Sequence, residues 1–308
     1  MSRGTRLARV LHRALKAGVL GGVLTLTLVV VPDSAVPATE TTLVKVERAQ
    51  GVDLSPDVVW IMAIGSDARP GQDMSHTRGD ALQLVGINTK SGAAAAIGVP
   101  RDSWVSIPGH GYDKINASLY FGGPQLMAQS IHNLVGIEPD YVMITGFKGL
   151  IAMVKGIDGI SVNNPIAFSD DHLKPKGFKK GKIQLTGYDA MAFSRIRHDL
   201  LHGDFDRSAN QQRTLIGILK RIRERSAQPG FIDDGVRLVM QNMQTNLPPS
   251  DLFEIAQAIA QVNPKKVTHC VVQGGIGDIG GASVVLPYVD QARSYGAQAR
   301  KDATISHC

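Results

Sequence analysis

A chain of 308 residues with 43% hydrophobic content is long enough for one large domain or two small ones, with ample material for a packed core. The net charge of +6 invites a nucleic-acid reading, but Arg3, Arg6, Arg9, Arg13 and Lys16, set against Asp33, hold +4 of it before residue 39. The remainder is nearly balanced, so bulk charge gives no support to a nucleic-acid partner.

Those five basic residues stand directly before an apolar run, Ala17 to Val31, closed by Pro32. With the positive-inside rule they predict a cytoplasmic segment over residues 1–16, a membrane anchor over 17–32 and a linker over 33–50. The run is shorter than the roughly 20 residues of a full crossing. Leu7 to Leu15 extends it only by placing Arg9 and Arg13 in or near the membrane. Val36, Pro37 and Ala38 make a poor cleavage site because of the proline, so an uncleaved anchor is expected, with a secreted form as the alternative. Either way residues 39–308 lie outside the cytoplasm. Cys270 and Cys308 then have two readings: a disulfide tying the C-terminal tail to an interior strand, or a buried apolar thiol and a free tail thiol.

Val58 to Ile64 is a continuous apolar run of strand length, as in a strand buried on both faces. Asp80 opens a second strand to Asn88, a turn follows to Gly92, and Ala93 to Val99 is a third strand, predicting a hairpin. Ile107 to Asn116 is rich in turn formers and reads as a loop. Helices are predicted over Gly123–Leu134 and Phe147–Val154, and strands over Tyr141–Thr145 and Ile160–Asn163. Lys174 to Lys182 reads as an exposed loop. Thr186 and Asp189 have capping-box spacing for a short helix, Gly187 to Phe193, that delivers Arg195 and Arg197. A long helix opens at Asp204 and ends near Arg225, and Ser250 is read as the cap of a helix running to Val262. Strands over Lys266–Val272 and Ser283–Tyr288 flank the glycine-rich Gly274–Gly281, which reads as plain loop. No repeat or linker divides residues 51–308, so one α/β domain with a mixed central sheet is expected.

The chemistry gathers between Ser194 and Arg213. Arg195 and Arg197 stand two apart, which in extended backbone sends both guanidiniums to one face. Arg207 and Gln211 follow Asp204 on one side of the helix, and apolar Leu215, Ile218, Leu219 and Ile222 begin only after Arg213. The helix thus reads as turning from polar to core-facing. A solvated charged surface is the plain alternative, but arginine rather than lysine suits bidentate binding of phosphate oxygens. If the strand-end loops converge, as they do in open α/β sheets, Arg78, Arg101, Arg195, Arg197 and Arg207 meet Asp67 and Asp80. That arginine excess requires a strongly anionic ligand, and the two carboxylates suit a hard cation such as Mg²⁺ shared with phosphate. The nine histidines contain no HExxH pattern and the cysteines lack metal spacing, which argues against zinc. No Gly-x-Ser-x-Gly elbow is present, which argues against a serine hydrolase. His198 and His202 read as surface or hydrogen-bonding residues.

The segments Gly65–Arg69 (GSDAR), Thr77–Asp80 (TRGD), Val99–Asp102 (VPRD), Pro108–Asn116 (PGHGYDKIN), Phe193–His198 (FSRIRH), Gly203–Arg207 (GDFDR) and Gln211–Arg213 (QQR) together resemble the LytR-CpsA-Psr proteins of bacterial cell envelopes. They appear in that family's order across roughly residues 57–225, and the ordered set is highly specific. Gly79 stands where a serine is usual, and Ala81 where a small hydroxyl is common. The resemblance implies an α-β-α sandwich behind one N-terminal membrane segment, with a hydrophobic pocket for a polyprenyl chain. It implies a phosphotransferase that moves a glycopolymer from a polyprenyl-pyrophosphate carrier to peptidoglycan. Asp67 and Asp80 would hold Mg²⁺, or Mn²⁺ in its place. Arg78, Arg101, Arg195, Arg197, Arg207 and Gln211 would grip the pyrophosphate, with Arg101, Arg195, Arg197 and Asp204 in catalytic roles. Asp102, Asp204 and Asp206 are each candidates to accept the acceptor's proton. A polyprenyl-pyrophosphate pyrophosphatase and a non-catalytic envelope regulator are the alternatives to transfer.

Overall fold

The computed structural model describes residues 40–47, 57–69, 71–197 and 199–308. The expected cytoplasmic and membrane segments, most of the linker and His198 lie outside these residues. Among the described residues no helix is long and apolar enough to cross a membrane.

The first half of the chain forms β1 (Thr41–Lys45), β2 (Val58–Ser66), β3 (Gly79–Asn88), β4 (Ala94–Gly98), β5 (Trp104–Ile107), β6 (Gly111–Lys114), α1 (Ala117–Val135), β7 (Tyr141–Thr145) and α2 (Phe147–Gly156). Then come β8 (Ile160–Asn164), β9 (Phe168–Asp170), β10 (Lys174–Phe178), β11 (Gly181–Leu185), α3 (Gly187–Arg195), α4 (Asp204–Arg225) and α5 (Phe231–Asn242). The chain ends with β12 (Met243–Thr245), α6 (Pro249–Gln261), β13 (Val267–Val271), β14 (Gly274–Ile279), β15 (Ala282–Pro287) and α7 (Val289–Ala299).

Seven strands form one mixed sheet in the order β12-β1-β7-β2-β3-β4-β13. β1–β12, β2–β7 and β4–β13 are parallel pairs, and β1–β7, β2–β3 and β3–β4 are antiparallel. β2 shows why its sequence is apolar throughout. Trp60, Met62 and Ile64 pack with residues of α1 and α7, while Val59 and Ile61 face Leu252 and Ile255 of α6 on the other side. With side chains alternating along a strand, only such a run fills both faces. Helices therefore cover both faces of the sheet, as a sandwich requires. A second core lies among α2, α3 and β8 to β11, where the Phe168, Phe178 and Phe193 rings pack with centroids 5.2–5.4 Å apart.

Several expected boundaries change for identifiable reasons. The helix predicted from Gly123 starts at Ala117 and kinks where Gly122 and Gly123 leave helical geometry, Gly123 at a φ of 63° that favours glycine. The supposed loop over Ile107–Asn116 contains the turn and the second strand of the β5–β6 hairpin. The lysine-rich stretch is largely strand, because Phe178, Ile183 and Leu185 turn into the second core while Lys176 and Lys182 face outward and Lys174 bonds Asp189 at 2.5 Å. Ser250 is not a cap: α6 begins at Pro249, whose fixed φ suits the first turn, and the Ser250 hydroxyl bonds Asp251. The glycine-rich segment is not loop but the hairpin β14–β15, turned by Gly280 and Gly281 at φ values of 62° and 80°. Cys270 and Cys308 form a disulfide, and it ties the tail to β13 at the edge of the sheet rather than to an interior strand.

Candidate active site

The site is built at the end of the sheet where β2 and β3 meet. Gly65 pairs with Ala81 and Ser66 with Gly79, so Asp80 is the extra residue of a β-bulge. A bulge re-aims the side chain it carries, and here it turns Asp80 onto the Arg101 guanidinium that follows β4. Asp67 leaves the adjoining strand end. The loop that carries it is pinned by Ser66, whose hydroxyl lies 2.8 Å from that of Thr77 and accepts the Ala68 N–H at 3.2 Å. Gly65 is held to glycine, because a Cβ there would stand 3.0 Å from that of Ala81.

A cleft of about 870 Å³ opens beside this bulge, and Asp67, Arg78, Arg101, Asp102, Lys114 and Arg197 contribute its charged lining together with Asp73 and His76. A much smaller hollow, about 60 Å³, is lined by Asp80, Arg195, Arg207 and Gln211 against the apolar Phe147, Leu150 and Met191. Arg101 connects the two, since it lines the cleft and pairs with Asp80 of the hollow.

This arrangement corrects two expectations. Arg195 is the last residue of α3 and Ile196 is extended, so the two arginines part company: Arg195 lies over the Phe147 ring at 4.5 Å, and Arg197 enters the cleft. Asp67 and Asp80 likewise border different hollows, with Arg101 between them. The order along α4 differs as well: read as polar first and core-facing only after Arg213, the helix is buried in its polar N-terminal half. Arg207, Ser208, Asn210, Gln211, Gln212 and Thr214 are buried, whereas of the later apolar residues only Ile218 is.

Burial needs partners, and these come from the sheet. Gln83 in the middle of β3 donates to the Ser208 hydroxyl at 3.0 Å and to the Gln211 side-chain oxygen at 3.3 Å. Gln212 donates to the Ala96 and Cys270 carbonyls at 3.3 and 2.7 Å. Gln211 donates to the Ser194 carbonyl at 3.2 Å, which fixes the end of α3 to α4. Gln83, Ser208, Gln212 and Lys114 are residues that the sequence reading missed. A glutamine inside an apolar strand, and polar residues at helical spacing, are the signals that point to them.

Electrostatics show what the site requires. Burial pushes the Arg207 guanidinium below its ordinary value; Asp204, its ion-pair partner, opposes this, and nearby Arg101 and Arg197 push it further down. Among the described residues no carboxylate lies within ion-pair distance of Arg78, Arg195 or Arg197. The Arg101 Nε is buried without a hydrogen-bond partner among those residues. Such donors call for an anion with several oxygens. Asp102 lines the cleft, 3.2 Å from the Lys114 ammonium. Asp204 is committed to Arg207, and Asp206 accepts from the His202 backbone at 2.9 Å.

No group of three or more metal-ligating side chains exists among the described residues. Two hard carboxylates from adjoining strand ends nevertheless fit Mg²⁺, which takes few protein ligands and completes its shell with phosphate and water.

The family model for the LytR_cpsA_psr family matches residues 28–301. A Bacillus anthracis protein named polyisoprenyl-teichoic acid–peptidoglycan teichoic acid transferase TagU is 31% identical over 198 residues. That match covers 64% of this chain and 63% of the relative, so the chain spans less than two thirds of its length. The protein of the same name from Bacillus licheniformis is 30% identical over 225 residues, 72% of this chain and 71% of that one. A crystal structure of a Streptococcus agalactiae protein superimposes with a TM-score of 0.71 at 21% identity, covering 83% of this chain and 91% of the other, which shows the same fold. Since the family match runs through both cores and every charged motif at this end of the sheet, the chain belongs to the LytR-CpsA-Psr family.

Proposed function

We propose that this protein is a phosphotransferase of the cell envelope, moving a glycopolymer from a polyprenyl-pyrophosphate carrier to peptidoglycan. The observation that carries the reading is the gathering of five arginines, Arg78, Arg101 and Arg197 on the cleft and Arg195 and Arg207 on the hollow, of which Arg78, Arg195 and Arg197 have no carboxylate at ion-pair distance among the described residues. The names of the Bacillus relatives point to the same donor and acceptor classes.

In the proposed step an acceptor hydroxyl oxygen bonds to the glycan-linked phosphorus. The bond from that phosphorus to the bridging oxygen breaks, and its electrons leave with polyprenyl phosphate. Transfer of this kind rests on in-line positioning and charge neutralisation. The leaving phosphate sits by Arg195 and Arg207, where the apolar wall of Phe147, Leu150 and Met191 suits the start of a lipid chain. Arg78, Arg101 and Arg197 hold the transferred phosphate. Asp102 accepts the hydroxyl proton, being the cleft-lining choice among the three aspartates, and Lys114 orients it. Mg²⁺ bound by Asp67 and Asp80 would neutralise charge on the phosphate oxygens. The Cys270–Cys308 disulfide supports an extracytoplasmic domain, and the basic block before the apolar run supports a retained anchor with residues 1–16 inside.

The test uses the full chain in detergent with a synthetic polyprenyl-pyrophosphate glycan and lipid-free peptidoglycan. Polyprenyl phosphate should appear in step with peptidoglycan-bound glycan, and Arg197→Ala should slow both by about a hundredfold, the order seen when a preorganised charge-stabilising group is lost. Equal release without acceptor would instead mark a pyrophosphatase.

A further inference from the structure

Apart from Lys114, the segment Pro108–Asn116 and the start of α1 are left without a role by the phosphate chemistry, yet Asn116 and Tyr120 line the cleft. Tyr120 lines the cleft with its side chain 58% exposed, and its neighbour Phe121 is 38% exposed. His110 stacks on Phe121 at 4.6 Å with the rings 2° from parallel, and Tyr120 meets Phe121 edge-on at 5.7 Å. Tyr112, 67% exposed, stands two residues from cleft-lining Lys114 on β6 and so shares its strand face. Soluble proteins rarely leave clustered aromatic rings open without a ligand to cover them.

A second, independent feature lies in the same cleft. Asn116 lines the cleft, is only 3% exposed, and its Oδ1 is buried with no hydrogen-bond partner among the described residues. An unsatisfied buried acceptor carries a real cost unless a ligand supplies the donor. The platform above it is firmly held: the Ser118 hydroxyl donates to that of Ser130 at 2.9 Å, and His76 packs at the Gly123 kink.

We infer that Tyr120, Phe121 and Asn116 form a carbohydrate subsite that holds a sugar ring of the peptidoglycan acceptor. A pyranose has a flat C–H face that suits the negative face of an aromatic ring, with hydroxyl and amide N–H donors at its edge for Asn116 Oδ1. A lipid would find no aliphatic wall here, and Asn116 Oδ1 would remain unpaired beside it. This assignment rests on the proposed transfer, because in-line attack fixes which glycan arrives there. The leaving lipid phosphate lies on the hollow side of Arg101, so the attacking hydroxyl enters from the opposite side, past Asp102, Lys114 and Tyr120.

The test measures binding of a lipid-free peptidoglycan tetrasaccharide to the full chain in detergent, alongside the KM values for acceptor and donor. Tyr120→Leu and Asn116→Ala should each weaken tetrasaccharide binding and raise the acceptor KM at least tenfold, while Tyr120→Phe stays within twofold of wild type. Asn116→Ala removes an unpartnered buried acceptor, so its melting temperature should not fall, which separates binding from folding. Unchanged binding in both variants, or no tetrasaccharide binding by wild type, would overturn the subsite. A rise confined to the donor KM would overturn the acceptor assignment and place the donor's sugar there. Tetrasaccharide binding by a protein that never consumes the donor would sink the transfer reading and leave the sugar subsite standing.

Discussion

Arg101 occupies the position on which the charges of the site turn. It faces Asp80 on the hollow side, and its Nε stands 3.9 Å from Asp102 on the cleft side. A guanidinium serves this place because its planar fork reaches two directions at once, whereas an ammonium offers a point charge. Arg101→Lys should therefore keep the fold and the charge but lower transfer by about a hundredfold, read as polyprenyl phosphate released per enzyme; near-normal turnover would show that charge alone suffices. Asp80 poses the companion question, since its pairing with Arg101 is equally what a plain ion pair would show. Asp80→Asn should cost some stability either way. Only in a metal ligand should it also raise the Mg²⁺ needed for half-maximal rate, by about tenfold or more, with chelator silencing wild type. An unchanged metal requirement removes Asp80 from the ligand set.

At the scale of elements, the contact between α4 and the sheet decides whether these side chains meet. Gly98 ends β4 directly beneath the helix, and a Cβ there would stand 2.5 Å from the Ser208 hydroxyl oxygen and 3.0 Å from Gln83 Oε1 and Gln212 Nε2. Gly98→Ala should cost roughly 1–3 kcal/mol by overpacking. It should also depress activity, because Arg207 and Gln211 ride on the displaced helix. Ser208→Ala in the same chain should restore part of the melting temperature, as residues in contact couple; strictly additive losses would mean that the helix does not rest on Gly98. This contact also explains what the sequence could reveal. β2 and β7 were readable because their apolar runs are local, and Thr186 announced α3 through its own cap, accepting the Asp189 N–H. The charged residues of the site were readable as a set. Their division between cleft and hollow was not, nor was the burial of the polar half of α4. That burial depends on Gln83, which lies 125 residues from Ser208, and helical period alone does not say which face a sheet will cover. The hairpin at Gly280–Gly281 shows the same limit, since glycines mark a turn but not the strands around it.

Across the whole molecule, the C-terminal staple and the active site share one support. The disulfide closes a span of 38 residues between Cys270 on edge strand β13 and the final residue. The Cys270 carbonyl accepts from Gln212, which stands beside Gln211 of the hollow. The tail has other attachments: the Ile305 N–H donates to the Thr268 hydroxyl at 3.0 Å, and the Ser306 N–H to Gln298 at 2.9 Å. Reduction should therefore loosen the sheet edge without unfolding the chain at room temperature. Loop-closure entropy for a span of this length lies between about 3 and about 4.7 kcal/mol. For a domain of this size that corresponds to a fall in melting temperature on the order of 10 °C. The measurement compares wild type with and without reductant against a variant carrying Cys270→Ser and Cys308→Ser. The variant should melt with reduced wild type and ignore the reductant. Because β13 supports Gln212, transfer by the variant should also decline at temperatures well below its melting point. Equal melting of oxidised wild type and variant would mean that the disulfide adds nothing to the β4 pairing and the tail's hydrogen bonds in holding the edge strand, and activity would then be independent of redox state.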